Sequence, residues 1–378
     1  MSILHIITRL DMGGSAESVL QLATAQKLRG HQVAVAYGMT SDHQDPGFFD
    51  RTGIAGYYIP ELAREFSPYN DISALVNLFA VTLKVKPKVV HTHAAKAGFL
   101  GRIAARLAGC KAVVHSPHGH IFHGYYAQER TDFFVRHERF AARFCDRILT
   151  LTETEAEDYV RLKVAPRGKF TTVPMGIYLG RFKNPNKTRA EVRESLDIPQ
   201  DAPVVGWIGR LDLIKDCATF MSSFPIMEKA LPGVKYLIVG NGEERATILH
   251  WAERIGHDKV IMTGRRKDVP ELLAAVDAVA LTSLNEGLGR VLIEGMAAGV
   301  PVVATAVGGT PEVLGGAGVL IPAKDPQALA DALMSVLTHE KFRAELVAKG
   351  RERAEKFSIE ATVTALEGLY EEILKAKG

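Results

Sequence analysis

Ser283-Leu284-Asn285-Glu286-Gly287-Leu288-Gly289-Arg290-Val291-Leu292-Ile293-Glu294-Gly295-Met296-Ala297-Ala298-Gly299 follows a short strand pattern at 278–282 and continues as a helix pattern that is apolar on nearly every face. Strand, glycine-rich turn and buried helix, in that order, form the repeating unit of a parallel sheet covered by helices. Gly287 and Gly289 allow close backbone approach and unusual dihedrals. A helix opening near Gly289 offers free N–H groups and a positive dipole end to a phosphate. Glu294 sits among Val291, Leu292, Ile293, Met296, Ala297 and Ala298. A carboxylate buried there needs hydrogen-bond donors. Two ribose hydroxyls would serve, and so would protein groups alone.

The same alternation extends outward in both directions. β-branched runs at 3–8, 32–37, 89–93, 112–115 and 147–151 are separated by helix patterns near 15–29, 71–85, 95–108 and 128–143. The pattern pauses at Val173-Pro174-Met175-Gly176-Ile177 and at Lys183-Asn184-Pro185-Asn186-Lys187, then restarts at Pro203-Val204-Val205-Gly206-Trp207-Ile208-Gly209. Further strand patterns follow at 234–239, 259–263, 278–282, 300–304 and 319–321, and helices dominate after about Asp325. A chain of 378 residues exceeds one ordinary domain. The expectation is an α/β protein with two Rossmann-like, doubly wound domains facing a central cleft, covering 1–185 and 186–356, with a tail at 357–378. Ligands bind outside the carboxyl ends of such strands.

Composition narrows the class. Apolar residues make up 47% and charged residues 24%, an ordinary balance for a globular chain with a core in each half. Cys110, Cys145 and Cys217 have no paired spacing, which argues against a disulfide framework or structural zinc. No window approaches a membrane helix, and the first residues read as a buried strand rather than a signal peptide. Residues 1–185 carry 23 Lys and Arg against 16 Asp and Glu, whereas the remainder carries 23 against 27. A basic first half suits an anionic acceptor or an anionic membrane face, and equally a solvated surface.

Gly209-Arg210-Leu211-Asp212-Leu213-Ile214-Lys215-Asp216 follows the strand pattern at 204–208. Arg210 and Lys215 are placed to face a diphosphate leaving group and neutralise the charge that grows as its bond breaks. Glu286 and Glu294 then complete an E-x7-E pattern, and Arg210 with Lys215 an R-x4-K pattern. Together they resemble the family-four retaining glycosyltransferases of the GT-B fold, over essentially the whole chain. The resemblance implies that Arg210 and Lys215 bind the donor diphosphate, Glu294 the ribose hydroxyls and Glu286 the donor sugar. The backbone of Gly287, Leu288 and Gly289 would hold sugar and phosphate. Arg265 and Arg266 resemble the region that holds the base, and Asn241 with Gly242 would lie near the donor. The tail at 357–378 would cross back to the first domain as a helix, with Leu366, Leu369, Tyr370, Ile373 and Leu374 on its buried face.

The first half supplies the other set of candidates. Gly13-Gly14 precedes a helix but is not G-x-G-x-x-G, so a dinucleotide fingerprint is absent. It resembles the family's N-terminal glycine loop, and a plain turn would read the same. His91-Thr92-His93 and His115-Ser116-Pro117-His118-Gly119-His120-Ile121-Phe122-His123 lack accompanying carboxylates or cysteines, and no D-x-D occurs anywhere, so no metal is expected. His118-Gly119 resembles the family's active-site His–Gly, whose histidine contacts the donor sugar. Lys96, His120 and His123 are then candidate acceptor contacts. These segments look like bacterial members that use UDP-sugars to extend polyprenyl-diphosphate-linked glycans for capsule, exopolysaccharide or lipopolysaccharide.

The implied activity is metal-independent, retaining hexosyl transfer. The nucleotide-sugar is a co-substrate, and no cofactor or nucleic-acid partner is implied. The implied setting is the cytoplasm, with peripheral contact at the inner membrane face. A sugar-nucleotide 2-epimerase of the same fold and a non-catalytic nucleotide-sugar-binding module are the competing readings.

Overall fold

A computed structural model describes residues 1–11, 14–40, 45, 47–119 and 128–378. Its contacts divide the chain into Met1–Ile177 with Ser358–Gly378, and Tyr178–Phe357. The break comes a little earlier than residue 185. The short helix Gly180–Lys183 packs on the helices Val269–Ala275 and Arg290–Ala298, so it belongs to the second unit.

In the first unit, β1 (Ser2–Ile7), β2 (Gln32–Tyr37), β3 (Ala55–Tyr58), β4 (Val89–His93), β5 (Ala112–Ser116), β6 (Arg147–Thr150) and β7 (Phe170–Thr172) form one sheet. Its order is β3-β2-β1-β4-β5-β6-β7, and every pairing is parallel. The two outermost strands have no counterpart in the sequence reading. β3 is largely exposed and carries Gly56, and β7 has three residues, so neither shows the buried β-branched run that marks the inner strands. In the second unit, β8 (Val204–Ile208), β9 (Lys235–Val239), β10 (Val260–Gly264), β11 (Ala278–Leu281), β12 (Val302–Thr305) and β13 (Val319–Ile321) pair in parallel in the order β10-β9-β8-β11-β12-β13.

Both sheets are thus doubly wound and reverse direction once, between β1 and β4 in the first and between β8 and β11 in the second. At a reversal the loops leave on opposite faces and open a crevice at the carboxyl edge. β4, β5, β11 and β12 are completely buried, as strands covered on both faces must be. In the second unit, Phe220 stacks on Tyr236 at 4.2 Å beneath the sheet, and Trp207 is 1% exposed.

The last helix, Ile359–Lys375, buries Leu366, Leu369, Tyr370 and Ile373 against the helix Gly14–Leu28 and β5 of the first unit. Thr362 ties its start to the segment after β7, accepting from the Gly176 amide at 2.9 Å and donating to the Pro174 carbonyl at 2.8 Å. Glu367 accepts from Arg29 at 2.7 Å and bonds His31 at 2.6 Å. Gly368, which weakens a helix in principle, faces open space, so the position carries no packing demand.

Candidate functional site

In the second unit, the loops after β8 and β11 flank the reversal and are bonded together. The Leu284 amide donates to the Ile214 carbonyl at 2.8 Å, and the Thr282 hydroxyl donates to the Asp216 carbonyl at 2.8 Å. Asp212 closes the first loop by accepting from the Lys215 amide at 3.2 Å. These bonds place the Lys215 ammonium against one carboxylate oxygen of Glu286, which also accepts from the Ser283 hydroxyl at 2.7 Å. Glu286 is 8% exposed. A buried carboxylate holding a cation and a hydroxyl is electrostatically satisfied, and it fixes where the lysine points.

The rest of the loop is built to leave room. The Gly309 amide donates to the Glu286 carbonyl at 2.9 Å. A Cβ on Gly308, whose φ is +50°, would lie 2.1 Å from that carbonyl oxygen, so the close approach requires glycine. Gly289 caps the helix Arg290–Ala298 at φ +63°, and the helix start faces the crevice side of β11. Glu294 is buried in that helix and makes a long contact to Arg290 at 3.4 Å. The arrangement joins a cation from the loop after β8 to the helix N-terminus and two buried carboxylates that follow β11. That combination has the charge and the hydrogen-bonding groups to take a phosphate group beside a polyhydroxyl group.

Not every residue picked from sequence joins this cluster. Arg210 is 70% exposed and pairs with Asp212 at 2.6 Å, away from Glu286. The expectation that Arg210 and Lys215 share one target is therefore not realised by their side chains in this structure. Asn241 turns its side-chain oxygen back to the Gly242 amide at 3.0 Å. Arg265 and Arg266 are exposed after β10, and Arg266 is bound to Asp268 at 2.7 Å. Ser283, Asp212 and Gly308 escaped the sequence reading. Only their spacing from β11, β8 and β12 hints at a role.

In the first unit, the reversal lies between β1 and β4, and histidines occupy it. His5 pairs in register with His91, and His91 and His93 share a face because strand side chains alternate. His5 Nδ1 lies 2.9 Å from His93 Nε2, and His93 Nδ1 lies 2.9 Å from His118 Nε2. His5 Nε2 bonds the Gln26 side-chain oxygen at 2.7 Å. His91 bonds the Tyr370 hydroxyl at 2.7 Å and the Ser116 hydroxyl at 2.8 Å. Burial depresses the rings, His5 to about 4 and His118 to about 4, with His91 and His93 well below their ordinary value. The nitrogens of His5, His91 and His93 come close enough to hold a metal ion. All six already take part in hydrogen bonds, so each ligand would have to surrender one.

Backbone strain gathers at the same edge. Ala94 holds φ +61° and ψ 176° where β4 ends, and His118 holds φ +63° after β5. Each such non-glycine residue costs about 1–3 kcal/mol and persists only where surrounding structure imposes it. Lys96 is engaged by Asp71 and the Glu65 carbonyl. Gly14 opens the helix Gly14–Leu28. Gly13, His120 and His123 lie outside the described residues.

Comparison with known proteins gives consistent matches. Residues 188–353 match the family described as glycosyl transferases group 1, and residues 13–176 match a glycosyl transferase 4-like domain. A D-inositol 3-phosphate glycosyltransferase of Saccharomonospora viridis is 30% identical over 97% of this chain and 90% of its own length. The UDP-Gal:alpha-D-GlcNAc-diphosphoundecaprenol alpha-1,3-galactosyltransferase of Escherichia coli is 29% identical over 68% of this chain and 67% of its own. Among solved structures, Anabaena HepE in complex with UDP-glucose aligns over 98% of this chain and 100% of that chain, with a TM-score of 0.83 at 21% identity. That likeness speaks to the fold.

Proposed function

The chain belongs to the group 1 glycosyl transferases and has the GT-B fold, and we propose that it moves a hexose from a UDP-sugar, with retention, to a glycan carried on polyprenyl diphosphate in bacterial surface-polysaccharide synthesis. The observation that carries this reading is the Lys215–Glu286–Ser283 cluster at the β8/β11 reversal. Lys215 neutralises the departing diphosphate, helped by the start of the helix Arg290–Ala298, and Arg210 joins it by leaving Asp212. Glu294 accepts from the ribose hydroxyls, and Glu286 meets the sugar. The acceptor hydroxyl attacks from the face the diphosphate leaves, and its proton passes to the departing phosphate oxygen. The charge is supplied by the chain's own cations, so no metal is needed. The acceptor class follows the Escherichia coli relative, whose name specifies a sugar on diphosphoundecaprenol.

The test is a panel of UDP-, GDP- and ADP-sugars with a synthetic polyprenyl-diphosphate-linked sugar, in EDTA, with the product linkage assigned by NMR. An α-linked product from an α-linked UDP-sugar is expected. An inverted linkage would refute the mechanism. Loss of UDP-sugar without acceptor to a free sugar inverted at C2 would reassign the chain as an epimerase.

The same reading places the first unit at a membrane surface. No helix among the described residues is long and apolar enough to cross a membrane. The helix Pro68–Val85 buries Ala74, Leu78 and Thr82, yet its outer stripe Tyr69, Ile72, Val76, Ala80 and Leu83 is also apolar and exposed. Its one acid, Asp71, is taken by Lys96, and Lys84, Lys86 and Lys88 stand at its end. A stripe of this kind with a cationic end suits the interface of an anionic bilayer. Flotation with phosphatidylglycerol vesicles should recover the protein, and phosphatidylcholine vesicles should recover much less. Ile72→Asp with Val76→Asp should abolish recovery without lowering the melting temperature, because both side chains are exposed. Equal recovery of the variant would remove this helix from the contact.

A further inference from the structure

The histidine chain in the first unit has a direction, and that direction constrains what His118 can do. Its inner end is the side-chain oxygen of Gln26, an acceptor with no proton to give, 2.7 Å from His5 Nε2. His5 Nε2 must therefore donate. A neutral imidazole carries one proton, so His5 Nδ1 is bare and accepts from His93 Nε2–H at 2.9 Å. His93 Nδ1 is then bare and accepts from His118 Nε2–H at 2.9 Å. His5 and His93 are buried and His118 is half-buried, with no carboxylate within their chain to hold a second proton, and desolvation keeps each neutral. The proton of every ring points inward, and the bare nitrogen of every ring points outward. The second nitrogen of His118 ends the sequence.

We infer that Gln26, His5 and His93 act as positioning residues that hold His118 as the Nε2–H tautomer, so that its Nδ1 accepts a hydrogen bond from a hydroxyl of the bound sugar. The hydroxyl-acceptor role rests on the reading that His118 meets the donor sugar, whereas the tautomer rests on the chain alone. The strained backbone at Ala94 and His118 belongs to the same arrangement, because it sets the turn that follows His93 at the end of β4 and the turn after β5 in which His118 lies. An acceptor at this position selects for a sugar that offers an O–H. It treats fluorine at the same carbon as no better than hydrogen, since fluorine has no proton to donate.

Two measurements test this. Nitrogen-15 NMR of the histidine-labelled full chain, without donor, should show His118 with a protonated Nε2 and a bare Nδ1. Gln26→Met removes the terminal acceptor, and its His118 should become a mixture of tautomers. A protonated Nδ1 in the unaltered protein would overturn the proposal whether or not the variant folds. The second measurement takes monodeoxy and monofluoro UDP-sugars at each ring carbon. One position should show about a tenfold loss of kcat/KM for both analogues, and that loss should vanish in His118→Phe. A fluoro analogue that keeps its rate at that position would show a donating His118 and overturn the assignment. If His118→Phe leaves every deoxy loss intact, the sugar-contact reading fails and takes the acceptor role with it, while the tautomer is still decided by NMR.

Discussion

Replacement of Lys215 by methionine is expected to lower kcat/KM for the UDP-sugar by about a hundred- to a thousand-fold, the range seen when one preorganised donor to a developing anion is removed. Methionine keeps the length and much of the apolar stem and removes only the ammonium. The loop itself should survive. The bonds that hold it run through the Ile214 and Asp216 carbonyls, the Lys215 amide and the Asp212 carboxylate, none of which uses the lysine head. What changes is Glu286, which loses its cation and keeps the Ser283 hydroxyl at 2.7 Å. Stranding a buried carboxylate in this way costs roughly 1–3 kcal/mol of stability, so thermal unfolding must be measured beside the rate. Lys215→Arg should not restore activity. A planar five-donor fork does not occupy the place of a compact ammonium held between a loop and one carboxylate oxygen. Glu286→Gln in the Lys215→Met background should cost far less than in the unaltered chain, because the two groups act as one. A loss below tenfold for Lys215→Met, with the fold intact, would make the pair a structural salt bridge.

The two halves of this argument were unequally visible in the sequence. The strand–glycine–helix run at 278–299 carried the second unit, because a carboxylate in an otherwise apolar helix has few reasons to exist. Glu294 is indeed 9% exposed. The alternation of buried β-branched runs with helices gave the inner strands of both sheets within a residue or two. The edges β3 and β7 lacked that pattern because β3 is largely exposed and carries Gly56, and β7 is only three residues long. The grouping of Lys215 with Glu286 was beyond the sequence, since Arg210 and Lys215 looked alike there. Only the fold shows that Lys215 is 21% exposed while Arg210 is 70% exposed on Asp212. His5 is the clearest omission. It stands inside an apolar strand, yet its significance depends on its register with His91 and on Gln26, which lies on a helix 21 positions further along.

Acidification should unfold the first unit before the second. His5 is fully buried with its pKa lowered from 6.5 to about 4, so the unfolded chain takes up a proton that the folded one refuses. Its contribution is complete above pH 6.5 and is lost as the pH falls toward 4. At about 1.4 kcal/mol per unit the loss is roughly 3 kcal/mol by pH 4. His91, His93 and His115 are fully buried and shifted in the same direction, and His118 adds to them. One group in this unit opposes them. Glu155 is raised from 4.5 to about 7, so the folded state gains stability as the pH falls through that range. Its magnitude offsets about one histidine and leaves the others uncompensated. The net effect is a loss of stability as the pH falls from 6.5 to 5, set against the roughly 5–15 kcal/mol that holds a protein folded. The second unit contains only His250, His257 and His339, all exposed, and it also contains both tryptophans, Trp207 and Trp251. Tryptophan fluorescence therefore reports the second unit, and far-ultraviolet circular dichroism reports both. Between pH 6.5 and 5 the circular dichroism midpoint should fall steeply and separate from the fluorescence midpoint. His5→Gln, which cannot take up a proton, should flatten the slope by close to one proton. Coincident transitions with no slope in this range would mean that the imidazoles are charged in the folded chain, and a charged chain has no fixed polarity for His118 to inherit.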